Sequence, residues 1–127
     1  AGVKGELGKV VAGGAMMGPA VENLSYPTTK TTSGLIMLSE ATAQPPQVNP
    51  CIRCGRCVEY CPMGLEPVEV NQAYAARDVQ ELGKLHVDYC FNCGSCTFVC
   101  PAKRPCTQMM GLAKAFYLGE IKKGGNK

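Results

Sequence analysis

Two groups of cysteines constrain this chain more than anything else in it. Residues 51–62 read CIRCGRCVEYCP and residues 90–101 read CFNCGSCTFVCP. Both follow C-x2-C-x2-C-x3-C-P, with Cys51, Cys54, Cys57, Cys61 and Pro62 in the first group and Cys90, Cys93, Cys96, Cys100 and Pro101 in the second. This is the bacterial-type spacing of cysteines that hold [4Fe–4S] clusters. Three thiolates two residues apart can line a tight loop around three iron corners of a cube. The fourth, about one helical turn further on, points to the other side and ligates the neighbouring cluster.

The ligand sets are therefore expected to cross. Cys51, Cys54, Cys57 and Cys100 would hold the first cluster, and Cys90, Cys93, Cys96 and Cys61 the second. From Cys57 to Cys61 a helix rises about 6 Å, so side-chain reach puts the two cluster centres ~10–15 Å apart. Electrons tunnel that far through protein. Gly55 and Gly94 each follow the second cysteine of a group, where backbone must approach inorganic sulfide closely or take a positive φ.

Zinc also accepts C-x2-C pairs, but an all-cysteine zinc site needs only four thiols, which leaves the x3 cysteines unexplained. Disulfides need an oxidising compartment and would leave one of the nine cysteines over. With no export signal legible, a reducing setting is the default expectation, in which clustered cysteines read as metal ligands. Residues 10–21 are the best apolar run, too short for a membrane span and interrupted by Gly13, Gly14, Gly18 and Pro19. Cys106 is the ninth cysteine, expected to be a free thiol because all eight ligand places are taken.

Charge is unevenly spread. Residues 1–50 carry three Lys/Arg and three Asp/Glu, residues 51–100 four and six, and residues 101–127 six and one. The basic C-terminal segment reads as a solvated tail, and its end, EIKKGGNK, has no aromatics between its basic residues as a nucleic-acid surface would require. No nucleic-acid partner is expected. His86, the only histidine, reads as structural, and no catalytic residues can be assembled around it.

The chain reads in three parts. Residues 1–40 are strand and turn, with GKVVAG and SGLIMLSE as short apolar runs. Residues 41–50, ATAQPPQVNP, form a linker whose prolines exclude a helix. Residues 51–127 form the cluster-binding domain. Between the cysteine groups, a helix is expected to begin at Pro67 and to end or break at Gly83, with Val68, Ala75, Val79 and Leu82, or Val70, Ala73 and Tyr74, at helical spacing. A second helix follows Pro105, with Met109, Leu112, Ala113 and Phe116 as its apolar stripe. The fold class is thus mainly α: a helical dicluster ferredoxin-like domain with a short N-terminal β/loop appendage. The helical pattern argues against the small β-rich ferredoxin. GGAMMG at residues 13–18 lacks the Lys and Ser/Thr of a P-loop and reads as a glycine-rich turn packing two methionines.

KVVAGGAMMGPAV, the P-x-x-K-x-T-S-G of residues 27–34 and the two cysteine groups together resemble the C subunit of the Rnf electron-transport complex, an ion-translocating ferredoxin:NAD oxidoreductase. The resemblance implies a C-terminal fragment of a longer protein. It also implies a peripheral position on the cytoplasmic face of the membrane, and as partners the other subunits of the complex and a redox donor or acceptor protein. FMN and NADH are expected on an upstream portion only, and this fragment alone would carry no catalytic site. Cys106 stands where the resemblance implies an apolar residue. Two other readings stay open: an iron–sulfur subunit of a related respiratory or cobalamin-reducing complex, and a zinc-stapled interaction module.

Overall fold

The structure, a computed structural model, describes residues 5–124. The chain divides into two units that part between Gln47 and Val48.

In the first unit, β1 (Leu7–Ala12) pairs antiparallel with β2 (Leu35–Ser39), Val10 opposite Met37 and Val11 opposite Ile36. β-branched valines suit the pleated surface, and Val10 and Val11 are both buried. The far edge of β1 is covered by residues 19–21: the Ala12 N–H donates to the Pro19 carbonyl and the Val21 N–H to the Val10 carbonyl, at 3.0 and 2.8 Å. The register slips between Leu7 and Lys9. At Gly8 a Cβ would lie 2.5 Å from the Glu40 Cα, so only glycine admits the one-turn helix α1 (Glu40–Ala43) against the strand. The prolines expected to exclude a helix from residues 41–50 begin only at position 45, and they leave that turn free to form. The GGAMMG turn forms, but Met16 and Met17 stand exposed rather than packed. Gly18 is what makes the turn tight, since a Cβ there would meet the Ala12 carbonyl oxygen at 2.5 Å.

The second unit is a repeat with an offset of 39 residues. The one-turn helices α2 (Arg56–Glu59) and α5 (Ser95–Phe98) correspond, as do the starts of α3 (Pro67–Ala75) and α6 (Cys106–Gly124). Positive φ recurs at the same offset: Arg53 and Asn92, Gly55 and Gly94, Gly64 and Lys103. Between the repeats lie α4 (Val79–Lys84) and a 3-10 turn (Val87–Tyr89). α3, α4, the 3-10 turn and α6 enclose one core of Leu65, Val70, Ala73, Leu82, Val87, Met110 and Ala113. Tyr74 and Phe116 meet edge-to-face at its rim, with the Arg77 guanidinium over both rings.

The helix between the cysteine groups breaks earlier than Gly83. Arg77 takes a left-handed conformation, φ 58°, and the Asp78 carboxylate accepts from the Glu81 N–H at 2.9 Å, capping a new helix. Gly83 instead lies inside α4, where the Tyr117 hydroxyl would come 3.0 Å from a Cβ. The buried residues of α6 are Cys106, Met110 and Ala113, while Leu112 of the expected stripe is 57% exposed. Ala113 and Phe116 of that stripe do face the core, and Met110 takes the place expected of Met109; the two methionines are adjacent and equally apolar, so the sequence alone does not choose between them.

Candidate metal centre

Each cysteine group begins as an irregular loop and ends in a single helical turn. A left-handed glycine caps α2 and α5 at their N-termini, Gly55 with φ 78° and Gly94 with φ 88°. The loop residues before the second cysteines, Arg53 and Asn92, are also left-handed, at φ 52° and 55°. Such a run of reversals curls three cysteines around one point. The Arg53 N–H donates to Cys51 Sγ at 3.4 Å and the Leu65 N–H to Cys61 Sγ at 3.3 Å, and both bonds favour thiolate over thiol.

The eight cysteines line two cavities, four to each. Cys51, Cys54 and Cys57 share a cavity of about 270 Å³ with Cys100 from the other repeat. Cys90, Cys93 and Cys96 share a tighter one, about 20 Å³, with Cys61. α2 and α5 lie against each other, which carries the last cysteine of each group across to the partner cavity. Among the described residues no three His, Cys, Asp or Glu side chains converge closely enough to hold a single metal ion. Burial is the main cause raising the thiols of Cys57 and Cys90 above the usual range; at Cys90 the Asn92 backbone N–H and the Lys114 ammonium oppose it.

Every residue lining the second cavity has its repeat mate lining the first. The chemistry nonetheless differs. Leu65, Pro67 and Met110 of the second cavity correspond to Arg104, Cys106 and Asn71 of the first, and Asn92 and Ser95 to Arg53 and Arg56. The second cavity therefore backs onto the hydrophobic core at Leu65 and Met110, where the first has Arg104 and Asn71; at Thr107, whose mate is Val68, the difference runs the other way. Asn71 Oδ1 is buried there without a partner. Because the two ends of a side-chain amide are interchangeable, an N–H at that place would serve sulfide or thiolate sulfur.

The second loop is the better anchored. Lys114 Nζ on α6 donates to the Cys90 carbonyl at 2.6 Å, and the Thr107 N–H at the start of α6 donates to Thr97 Oγ1 at 2.8 Å. The first loop is exposed from residue 51 to residue 56. His86 stacks on Tyr89 and lines neither cavity.

Cys106 is buried at the first cavity, and burial, followed by repulsion from Cys100, Cys96 and Cys57, pushes its thiol up to about 12. Its repeat mate is Pro67, which cannot ligate, and the second cavity has its four thiols without it. Cys106 fills the place of an apolar residue as a small hydrophobe. Cys106→Ala is therefore expected to leave iron per chain unchanged in anaerobic metal analysis. Loss of about half the iron would instead make it a ligand of one of two four-iron clusters.

Residues 50–103 match the family of 4Fe-4S dicluster domains. The match takes in both cysteine groups and is to domains that hold two [4Fe–4S] clusters. The chain is also similar to the C subunits of ion-translocating oxidoreductase complexes. It is 40% identical over 80 residues to the C subunit of the ion-translocating oxidoreductase complex of Rhodobacter capsulatus, across 63% of this chain and 15% of that protein. With the C subunit of the proton-translocating ferredoxin:NAD(+) oxidoreductase complex of Clostridium ljungdahlii it shares 44% over 66 residues, 52% of this chain and 14% of the relative. With the C subunit of the Na(+)-translocating ferredoxin:NAD(+) oxidoreductase complex of Acetobacterium woodii it shares 37% over 78 residues, 61% and 17%. The resemblance read from the sequence motifs is borne out by these relatives, of whose length the chain spans less than a fifth.

Proposed function

We propose that this chain carries single electrons through two [4Fe–4S] clusters as part of a membrane-associated, ion-translocating ferredoxin:NAD oxidoreductase complex. The observation that carries the reading is the division of eight thiols into two sets of four, each set taking one cysteine from the other repeat. We assign Cys51, Cys54, Cys57 and Cys100 to the first cluster and Cys90, Cys93, Cys96 and Cys61 to the second. Clusters of this kind supply one-electron carriers whose potentials follow charge, sulfur hydrogen bonds and exposure. The chain's own residues supply the rest. Gly55 and Gly94 bring backbone close to the cluster sites, Lys114 fixes the second loop, and Arg53, Arg56 and Arg104 set the charge around the first.

The complexes to which the relatives belong support the setting, and with it other subunits and a redox donor or acceptor protein as partners. No helix among the described residues is long and apolar enough to cross a membrane; the peripheral place on the cytoplasmic face is part of the proposal. Flavin and NADH chemistry is assigned to the part of the relatives that this chain does not match. Anaerobic iron and sulfide analysis with EPR of the reduced protein tests the reading. About eight irons and eight sulfides per chain, with a spectrum broadened by coupling between two nearby spins, are expected. A colourless, zinc-loaded protein would sink it.

A further inference from the structure

The repeat makes the second cavity an internal control for the first, and their surfaces differ in charge. Arg53, Arg56, Lys103 and Arg104 lie around the first cavity and the groove beside it. Their mates 39 residues away are Asn92, Ser95, Gly64 and Leu65, all neutral. A common ancestral loop geometry therefore explains the shared backbone but not the four cations. Three of them, Arg53, Arg56 and Lys103, are exposed, and Arg104 is half-buried. The ion pairs among the described residues are Lys84–Glu81 and Lys123–Glu120, so none of the four is in an ion pair with a carboxylate of the described residues.

Two further features lie on the same side. Cys51 and Cys54 are exposed, whereas the four thiols of the second cavity are half-buried, so the first site comes nearer to solvent. The adjoining groove, which runs past Cys100, is lined by Phe98 at 76% exposure and Tyr60 at 57%, with Arg56 and Lys103, and Glu59 as its one carboxylate. Exposed aromatics beside unpaired cations are the composition of a contact surface.

We infer that this face, centred on the 51–57 loop and the Phe98–Lys103 groove, is the docking surface for an acidic electron-transfer protein that exchanges electrons with the first cluster. The inference rests on the proposed electron-transfer function and adds where, and to what kind of partner, the wire opens. The four cations steer an acidic partner during encounter, while Ile52, Tyr60 and Phe98 supply the apolar centre of the contact. The second cluster, backed by the hydrophobic core, is the inner end of the wire. One electron moves from the reduced member of the pair to the oxidised one, with no bond made or broken.

Stopped-flow electron exchange between the anaerobic full chain and a reduced small acidic [2Fe–2S] ferredoxin tests this, with a zwitterionic viologen radical as the uncharged reference. The second-order rate constant with the acidic protein should fall steeply as ionic strength rises. In Arg53→Gln/Arg56→Gln/Lys103→Gln it should drop about tenfold at low salt and lose most of its salt dependence. Lys122→Gln/Lys123→Gln, on the last turn of α6, should behave as wild type. Arg53 and Arg56 also set the charge around the first cluster, so the viologen rate measures the change in driving force in the triple variant, and the tenfold loss with the acidic protein is read relative to it. A salt-independent rate, or equal losses in both variants, overturns the docking assignment while leaving electron transfer intact. Wild-type binding to phosphatidylserine vesicles that the triple variant loses, with exchange unaffected, would assign the face to a lipid surface and overturn it too. A chain that takes no electrons from the viologen overturns the electron-transfer reading beneath both.

Discussion

Removing the iron with chelator and oxidant is expected to abolish cooperative folding of residues 50–120. Binding energy at a metal site is folding energy when the site does not exist in the unfolded chain. Here the protein contributes little else. The buried hydrophobic residues of the second unit are Leu65, Val70, Ala73, Leu82, Val87, Ala102, Cys106, Met110 and Ala113, three of them alanines. α2 and α5 are single turns, far below the ~12–15 residues at which a helix becomes marginal alone. The 51–56 stretch is exposed throughout and has no core to hold its two left-handed residues in place. Holo protein should show a sharp thermal transition by far-UV circular dichroism, and iron-free protein a shallow, non-cooperative loss of helix. An equally sharp transition without iron would show that the seven-residue core suffices.

The second large effect is expected from exchanging single cysteines for serine, where the crossed ligand sets give an outcome that sequence neighbourhood does not. Cys93→Ser should remove or convert the second cluster and leave the spectrum of the first. Cys61→Ser should leave that same residual spectrum, although Cys61 lies in the first cysteine group. Its thiol lines the cavity of Cys90, Cys93 and Cys96, and it accepts from the Leu65 N–H within that wall. Conversely, Cys100→Ser should match Cys54→Ser, because Cys100 lines the cavity of Cys51, Cys54 and Cys57. In each case about half the iron, or half the EPR intensity, is at stake. Residual spectra that pair Cys61→Ser with Cys54→Ser would reverse the ligand assignment.

What could be read from the sequence was whatever a single residue type enforces. Cysteine spacing announced the two cluster loops, and the glycine after each second cysteine announced a positive φ that Gly55 and Gly94 adopt. Pro67 marked the start of α3 because its ring fits only the first turn. The rest depended on partners that lie far away in the chain. Non-glycine residues at Arg53, Asn92 and Lys103 take the left-handed region because the loop demands it, and nothing in their side chains advertises it. Gly83 looked like a helix breaker and is a space-maker for Tyr117, 34 positions away. Asp78 capped a helix that an uninterrupted apolar period had hidden. The polarity of the first cavity's wall became legible only once the repeat was laid over itself, since Asn71 and Cys106 have no meaning until Met110 and Pro67 stand opposite them.

The left-handed turn at Arg77 has a consequence for how the molecule comes apart. It is an exposed joint between α3 and α4, on the only stretch of backbone that connects one cysteine group to the other. With the ligand sets assigned above, a trypsin cut after Arg77 would not release two fragments. Each piece would still hold one end of both cubes, three thiolates on one and one on the other, like two links closed through each other by metal–sulfur bonds. A nicked chain would run as a single species for as long as it stayed brown, and fall into halves on bleaching.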